Sequence, residues 1–148
     1  MRAVVQRVTE ASVKIDDETV GAIENGLCVL LGVSTDDTEA DADYITEKLL
    51  GLRIFDDENG VPNRSIQDIS GAILLISQFT LMGDARKGRR PSYIHAARPE
   101  TAIPLYERCI AALRASVPVE TGRFGADMKV SILNDGPFTI LLDSKKGF

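Results

Sequence analysis

The first residues that suggest chemistry lie where an apolar stretch of the chain gives way to polar side chains. Residues 72–76 are all aliphatic, and they are followed directly by Ser77, Gln78, Phe79 and Thr80. Polar groups at the end of a buried strand must find hydrogen-bond partners. Two interpretations stay open: a polar strand end that satisfies the next turn, and a set of main-chain N–H groups around Phe79 and Thr80 that suits a developing oxyanion.

A nucleophile in this segment would lack a base. The Thr80 hydroxyl would need a neighbouring general base, and the one histidine, His95, lies among basic residues with no Ser-His-Asp order around it. We therefore expect no catalytic triad. One histidine without a Cys/His cluster leaves almost no ligands for zinc, so we expect neither a metal nor a cofactor.

A second candidate is the segment Asn134-Asp135-Gly136-Pro137. One interpretation is a turn between the last two strands, because turns favour these residue types for backbone reasons. The other is a functional loop, since a Gly-Pro bond adopts the cis form at modest cost. A cis bond would make a rigid pair of carbonyl acceptors, those of Gly136 and Pro137, for an ammonium group.

A third candidate is a basic segment at residues 86–91. Between residues 84 and 98 the chain carries five cations and one anion, although its formal net charge is −5. The segment is either a solvated loop or a phosphate contact, for which Arg offers bidentate geometry. Lys145 and Lys146 could add to it, whereas residues 36–58, with nine acids and two bases, should repel nucleic acid. The candidate phosphate ligands are Arg86, Lys87, Arg89 and Arg90.

Hydrophobic patterning predicts the elements that would position these candidates. It predicts strands over residues 1–8, 11–15, 20–23, 27–33, 72–81, 129–133 and 138–143. Amphipathic spacing predicts helices over Thr38–Leu52 and from Pro99 to about Ser116, with Pro104 near the first turn of the second. Strands grouped with few helices between them favour an antiparallel α+β fold with a curled sheet.

Length and composition indicate one globular domain, residues 1–148. Hydrophobic residues make up 44% and charged residues 26%, which excludes disordered and collagen-like classes. The net negative charge argues against non-specific coating of nucleic acid. Cys28 and Cys109 lie in apolar settings, which indicates buried thiols in a reducing compartment. With no signal-peptide pattern and no membrane-length apolar segment, we expect a soluble, cytoplasmic protein without a membrane partner.

At these segments the sequence resembles the D-aminoacyl-tRNA deacylases, dimeric enzymes of chiral proofreading. The resemblance covers essentially the whole chain, from MRAVVQRV at residues 1–8 through RRPSY at 89–93 to the last strands. Its two signatures are SQFTL at 77–81 and NDGPFT at 134–139, which are highly specific when both are present. Phe138 stands where the family pattern has Val.

The resemblance implies a barrel-like, mostly antiparallel sheet with two main helices packed on it, in a homodimer. It also implies hydrolysis of the ester that joins a D-amino acid, or glycine, to tRNA, with no cofactor and no DNA partner. In this family the Gly136-Pro137 bond is cis, and its loop reaches into the partner subunit's pocket, which the Ser77–Thr80 segment lines. Arg7 matches a position that helps to hold the loop.

The chemistry that the resemblance implies agrees with the residues. An aminoacyl ester is already activated and the ribose 2′-hydroxyl can assist attack by water, so orientation and oxyanion donors matter more than a strong base. If the Gly136 and Pro137 carbonyls capture the α-amino group, a D side chain points to open space and an L side chain meets the backbone. Chirality is then decided by rejection.

Two other functions stay open on the sequence. A non-catalytic RNA-binding module would use residues 86–90, although the acidic balance and the aromatic content of 5% are unfavourable. A hydrolase of small metabolite esters would use the same oxyanion donors. Salt-sensitive RNA binding without cleavage would select the first, and turnover without tRNA would select the second.

Overall fold

Strands occupy both ends of the chain, and the helices lie between them. The computed structural model describes residues 1–148. The helices are α1 (Glu39–Gly51) and α2 (Pro99–Arg114), with a short 3-10 helix at Phe79–Met82. The strands are β1 (Arg2–Ile15), β2 (Glu18–Ile23), β3 (Gly26–Gly32), β4 (Phe55–Asp56), β5 (Pro62–Arg64), β6 (Ala72–Ser77), β7 (Val119–Thr121) and β8 (Lys129–Asp143).

Six strands form one curved sheet. Its order is β2-β1-β3-β6-β7, and β8 also pairs with β1. The pairs that involve β1 are antiparallel, whereas β3-β6 and β6-β7 are parallel, because helical crossovers connect them. A Cβ atom on Gly21 of β2 would lie 2.7 Å from the Thr121 carbonyl oxygen of β7, so the sheet is nearly closed. The predicted α+β fold, a barrel-like and mostly antiparallel sheet with two helices, is confirmed.

The core explains why the central strands are apolar on both faces. Leu27, Val29 and Leu31 of β3 pack in the cluster that includes both helices. Cys28 packs in a second cluster with Leu74 of β6 and residues of β1 and β2. Since strand side chains alternate between faces, β3 and β6 are buried on both sides. Both cysteines are free and buried, as the sequence predicts.

Three predicted strand assignments are wrong. The strands predicted over 1–8 and 11–15 are one strand, β1, because β8 pairs with it on both sides of Thr9. Those predicted over 129–133 and 138–143 are likewise one strand, β8. The strand predicted over 72–81 ends at Ser77 and turns into the 3-10 helix. The prediction also missed β4, β5 and β7, which are too short to show a period.

The position of Pro104 also differs from the prediction. It is the sixth residue of α2 and therefore lies beyond the first turn. Without an N–H it leaves the Glu100 carbonyl without its helical donor. The buried side chains of α2, including Leu105, Tyr106 and Cys109, offset this cost by packing on the sheet. No helix of the fold is long and apolar enough to cross a membrane.

Candidate active site

A cavity of about 320 Å³ opens where β3 and β6 end. Its lining is largely apolar. The strand ends contribute one wall, α2 and the segment before it contribute another, and the loop before β8 contributes the third. The lining residues are Leu31, Val33, Ile76, Ser77, Gln78, Phe79, Ala97, Ala102, Tyr106, Phe124, Gly125, Ala126, Asp127, Met128 and Val130.

The first predicted segment forms part of this lining. Ser77, Gln78 and Phe79 line the cavity, whereas Thr80 does not. The Gln78 N–H donates to the Leu31 carbonyl at 2.7 Å, and the chain then turns into the 3-10 helix. The N–H groups of Phe79 and Thr80 are the first two of that helix, so they have no acceptor within it. The Thr80 hydroxyl accepts a hydrogen bond from the Gln78 side-chain amide.

A close backbone approach holds the 3-10 helix against β3. A Cβ atom on Gly32 would lie 2.9 Å from both the Gln78 carbonyl oxygen and the Leu81 Cβ. The Arg2 guanidinium donates to the Leu81 carbonyl at 3.1 Å. Glycine at position 32 therefore lets the turn lie on the strand, and Arg2 fixes its far end.

The cavity contains few groups that can carry a proton. Tyr106 and Asp127 are its only ionisable side chains. The Tyr106 hydroxyl donates to the Leu75 carbonyl at 2.8 Å, and burial raises its pKa to about 12, so it stays protonated at neutral pH. His95 lies elsewhere, in a depression with Asp84 and Arg86. The site can thus orient a substrate and offer N–H donors, but it holds no histidine base.

The second predicted segment is a protrusion from a strand, and the prediction of a turn between two strands is wrong. Gln6 pairs with Thr139 and Val8 pairs with Asn134, so residues 135–138 lie opposite Arg7 alone. The Gly136-Pro137 peptide bond is cis, and both residues are exposed. The Asn134 side-chain amide closes the base of the loop by donating to the Arg7 carbonyl at 2.9 Å.

The Arg7 side chain lies beneath this loop. Its Nε donates to the Asp135 carbonyl at 3.1 Å, and its Nη1 donates to the Ile54 carbonyl at 2.8 Å. It also forms ion pairs with Asp56 at 3.3 Å and with Asp135 at 3.1 Å. The guanidinium carbon lies 4.2 Å from the centre of the Phe138 ring, a cation–π contact. The loop is thereby fixed to the segment that leads into β4.

The two predicted segments do not meet within one chain. No residue from 134 to 138 lines the cavity that Ser77, Gln78 and Phe79 form. The prediction also missed the wall at residues 124–128 and the part played by Tyr106. A signal for the missed wall is present in Gly122 and Gly125, two glycines within four residues, of which Gly125 has a φ of +77°.

The basic segment divides into fixed and free cations. Arg86 donates to both carboxylate oxygens of Asp84, at 2.9 and 2.6 Å, and holds the pKa of Asp84 below its usual range. Lys87, Arg89 and Arg90 are exposed and form no ion pair. Lys145 lines the same depression as Arg86, but it is not a free cation, because it pairs with Asp41 of α1 at 3.0 Å.

Comparison with known proteins identifies a matching family and several similar chains. Residues 4–143 match the family described as D-Tyr-tRNA(Tyr) deacylase. A D-aminoacyl-tRNA deacylase of Thermosipho africanus is 58% identical over 149 residues, which cover 100% of both chains. A solved structure described as c-Myc DNA Unwinding Element Binding Protein is 43% identical with a TM-score of 0.92, covering 97% of this chain and 98% of that one. A probable eukaryotic D-amino acid tRNA deacylase shares the fold, with 19% identity and a TM-score of 0.83 over 95% and 97% of the two chains.

Proposed function

We propose the following chemistry on one premise: this chain belongs to the D-Tyr-tRNA(Tyr) deacylase family. It is a D-aminoacyl-tRNA deacylase, a hydrolase. The whole chain, residues 1–148, acts in the cytoplasm as one domain that splits the ester between a D-amino acid and tRNA. It accepts glycine charged on non-cognate tRNA as well, because glycine has no side chain to reject.

One observation carries the proposed mechanism: Phe79, which lines the apolar cavity, and Thr80, which follows it, begin a 3-10 helix, so their N–H groups have no acceptor within that helix. They stabilise the oxyanion that forms when water attacks the ester carbonyl, and donors in a water-poor site are worth more than in bulk water. Tyr106 stays protonated and His95 lies outside, so the tRNA 2′-hydroxyl assists the water. Ser77 and Gln78 orient the ester against these donors.

Chirality is decided by the Gly136-Pro137 loop. Gly136 and Pro137 are exposed, and their carbonyl groups accept hydrogen bonds from the α-ammonium group of the substrate. With that group fixed, an L side chain meets the loop backbone and a D side chain points away from it. The contacts of Arg7 beneath the loop support this role. We call them the Arg7 brace: the side chain contacts Asp135 and Phe138 of the loop and also Ile54 and Asp56.

The loop acts in trans, in a homodimer. Its residues do not line the cavity of their own chain, which supports supply of the loop by a second copy. The surface that carries the loop favours such pairing, because β8 pairs only with β1 and leaves its other edge free. Leu133 and Leu141 are 56% and 53% exposed on this strand, and an unpaired edge with exposed apolar side chains is a site for association.

The basic segment contacts the tRNA backbone. Lys87, Arg89 and Arg90 have no partner within the chain and are free to bind phosphate. Arg86 has an indirect role, because its ion pair with Asp84 holds the conformation of the loop. We assign Arg86 to the tRNA contact because this loop carries the three free cations.

Deacylation of matched D-Tyr-tRNA and L-Tyr-tRNA tests the proposal, with a no-enzyme control and a chelator arm. We expect rapid loss of the D-ester alone, unaffected by the chelator. Pro137→Ala should cleave the D-ester more slowly or lose its discrimination against the L-ester. Normal rate and normal discrimination in that variant would contradict the assigned role of the loop.

The remaining outcomes separate the other functions. Cleavage of both esters by the unaltered protein would keep the hydrolase and remove the chiral mechanism. Salt-sensitive tRNA binding without cleavage would indicate a binding module, and equal turnover of an aminoacyl ester without tRNA would indicate a small-ester hydrolase.

A further inference from the structure

We propose that the exposed Phe79 ring is a stacking surface for the terminal adenine base of tRNA, and that Tyr93 positions this ring. The inference rests on the proposed function and deepens it, because it assigns a contact to the nucleotide that carries the ester. We call the rings of Phe79 and Tyr93 the aromatic pair.

The exposure of Phe79 is the first observation. Phe79 lines the cavity, and yet the residue is 56% exposed. Its main chain begins the 3-10 helix, so a proposed oxyanion donor and the exposed ring belong to one residue. Scattered apolar side chains on a surface are common, but a ring on a residue that lines a cavity can contact what the cavity binds.

The contacts of Tyr93 are the second observation. The centres of the Phe79 and Tyr93 rings lie 5.2 Å apart, and the ring planes meet at 68°, which is the edge-to-face arrangement that aromatic pairs prefer. A Cβ atom on Gly83 would lie 3.0 Å from Tyr93 Cε1, so the Tyr93 ring packs against the residue that ends the 3-10 helix. Because an edge-to-face contact covers only one face of one ring, ring faces remain available to a base.

The connection of the aromatic pair to the basic segment is the third observation. The Asp84 N–H donates to the Ser92 carbonyl at 2.8 Å, and the Ser92 N–H donates to the Asp84 carbonyl at 2.9 Å. This backbone pair closes the loop at residues 85–91, which carries the three free cations, and Tyr93 follows it directly. The aromatic pair therefore joins the cavity lining, through Phe79, to the base of the proposed phosphate-binding loop, through Tyr93.

The shape of the substrate selects the terminal base as the occupant. The ester and the base are attached to the same ribose, so an ester carbonyl at the Phe79 N–H brings the base within one sugar ring of the Phe79 side chain. Stacking on an aromatic ring tolerates any base, and the terminal base is the same in all tRNAs, so the contact does not restrict the enzyme to one tRNA. One ring suffices for one base, so the low aromatic content of 5% does not argue against this contact.

Phe79→Ala and Tyr93→Ala test the proposal, with Val61→Ala, an exposed apolar residue between β4 and β5, as the control. The substrates are D-alanyl adenosine and the D-alanyl ester of methyl riboside, which has the same ester and ribose hydroxyl groups but no base. Neither has an aromatic amino-acid side chain, which could itself stack on Phe79.

The effect should be confined to the substrate that has the base. We expect Phe79→Ala to lower kcat/KM for D-alanyl adenosine by roughly fivefold or more through KM, because a stack away from the reacting atoms stabilises bound substrate and transition state equally. Tyr93→Ala should lower it by roughly twofold or more, since the edge contact that positions Phe79 is lost. Tyr93→Phe keeps that ring and should restore the KM.

Binding of 3′-deoxy-3′-(D-alanylamino)adenosine, whose amide resists hydrolysis, gives a second measurement that does not need cleavage. Its Kd should rise roughly fivefold or more in Phe79→Ala and stay unchanged in Val61→Ala. An unchanged Kd in Phe79→Ala, or no binding by the unaltered protein, would overturn the inference. If the unaltered protein cleaves no D-aminoacyl ester, the proposed function fails, while the Kd values still decide the role of the aromatic pair.

Two further outcomes would assign the rings a structural role and overturn the inference. One is an equal fall in kcat/KM for both esters, since a base contact cannot affect the methyl riboside ester. The other is loss of a homodimer in Phe79→Ala or Tyr93→Ala, measured by light scattering, because the rings would then pack against the second copy.

Discussion

The Arg7 guanidinium contacts unlike neighbours at once: carbonyl oxygens of Ile54 and Asp135, two carboxylates, and the Phe138 ring. A planar, five-donor group can meet carbonyls at its edge and a ring on its face, whereas an ammonium group cannot. Phe138 in place of the expected Val adds the ring to this arrangement. The Arg7 side chain thus holds main-chain carbonyl groups in position. At Phe79 and Thr80, too, the proposed chemistry uses main-chain groups, in that case the N–H donors.

Replacing Arg7 tests the brace beneath the loop. We expect Arg7→Lys to lower kcat/KM for D-Tyr-tRNA roughly tenfold or more, since hydrogen bonds to charged groups contribute about 1.5–3 kcal/mol each. Discrimination against L-Tyr-tRNA should fall in parallel. Arg53→Lys, an exposed arginine on the Asn63 backbone, is the control, and equal kinetics in the two variants would rule out a special role for Arg7.

The main-chain donors can be tested at Phe79. Gln78 has backbone angles of φ −147° and ψ 82°, outside the helical region that proline disfavours in the residue before it, and the first helical position tolerates proline. Phe79→Pro should therefore keep the turn and delete one N–H donor. We expect it to be about 10²–10³-fold slower than the matched Phe79→Ala. Equal rates in the two variants would remove the Phe79 N–H from the mechanism.

The Thr80 side chain provides the complementary experiment. Because Thr80 does not line the cavity and the proposed mechanism uses only its N–H, Thr80→Ala should stay within about threefold of the unaltered rate. A complete loss of single-turnover cleavage in Thr80→Ala would support a Thr80 nucleophile instead.

At the scale of elements, the site depends on how β6 ends. The strand pairs in parallel with β3 up to Ser77, and the turn that follows folds back over Gly32. A residue with a side chain at position 32 would collide with the Gln78 carbonyl and displace the 3-10 helix. The position of the proposed oxyanion donors therefore depends on the packing of one strand against one turn.

Paired glycine substitutions test this dependence. Gly32→Ala places a Cβ 2.9 Å from backbone and side-chain atoms that must move, so activity should fall together with the midpoint of thermal unfolding. Gly51→Ala, at the end of α1 with nothing within 4 Å, should instead stabilise by about 0.5–1 kcal/mol. Full activity in Gly32→Ala would show that the position of the turn is not critical.

At the scale of the whole molecule, the cavity and the Gly136-Pro137 loop lie apart in one chain. A two-fold dimer would join them twice, because each subunit would supply one cavity and one loop. The free edge of β8, with Leu133 and Leu141 exposed, is where we expect the second copy to pack.

Subunit mixing tests this arrangement. Ala126→Trp should block the cavity that Ala126 lines, and Pro137→Ala should damage the loop, so neither variant alone should give fast, D-selective cleavage. Co-expression should restore about a quarter of the unaltered activity, since random pairing makes half of the dimers mixed and each mixed dimer has one intact site. A chain that carries both lesions, co-expressed with either variant, should restore none. Failure of the two single variants to complement each other would contradict action in trans.

Local patterns in the sequence determined the helices, most strand positions and the two motifs that carry the family resemblance, because burial periodicity and turn chemistry are properties of neighbouring residues. Only the tertiary structure decided the rest. Residues 135–138 form a protrusion because β1 continues beneath them, and the wall at residues 124–128 forms because α2 packs nearby. The main-chain carbonyls that accept hydrogen bonds from Arg7 lie 47 and 128 residues away in the chain, and contacts at such separations follow from the fold as a whole.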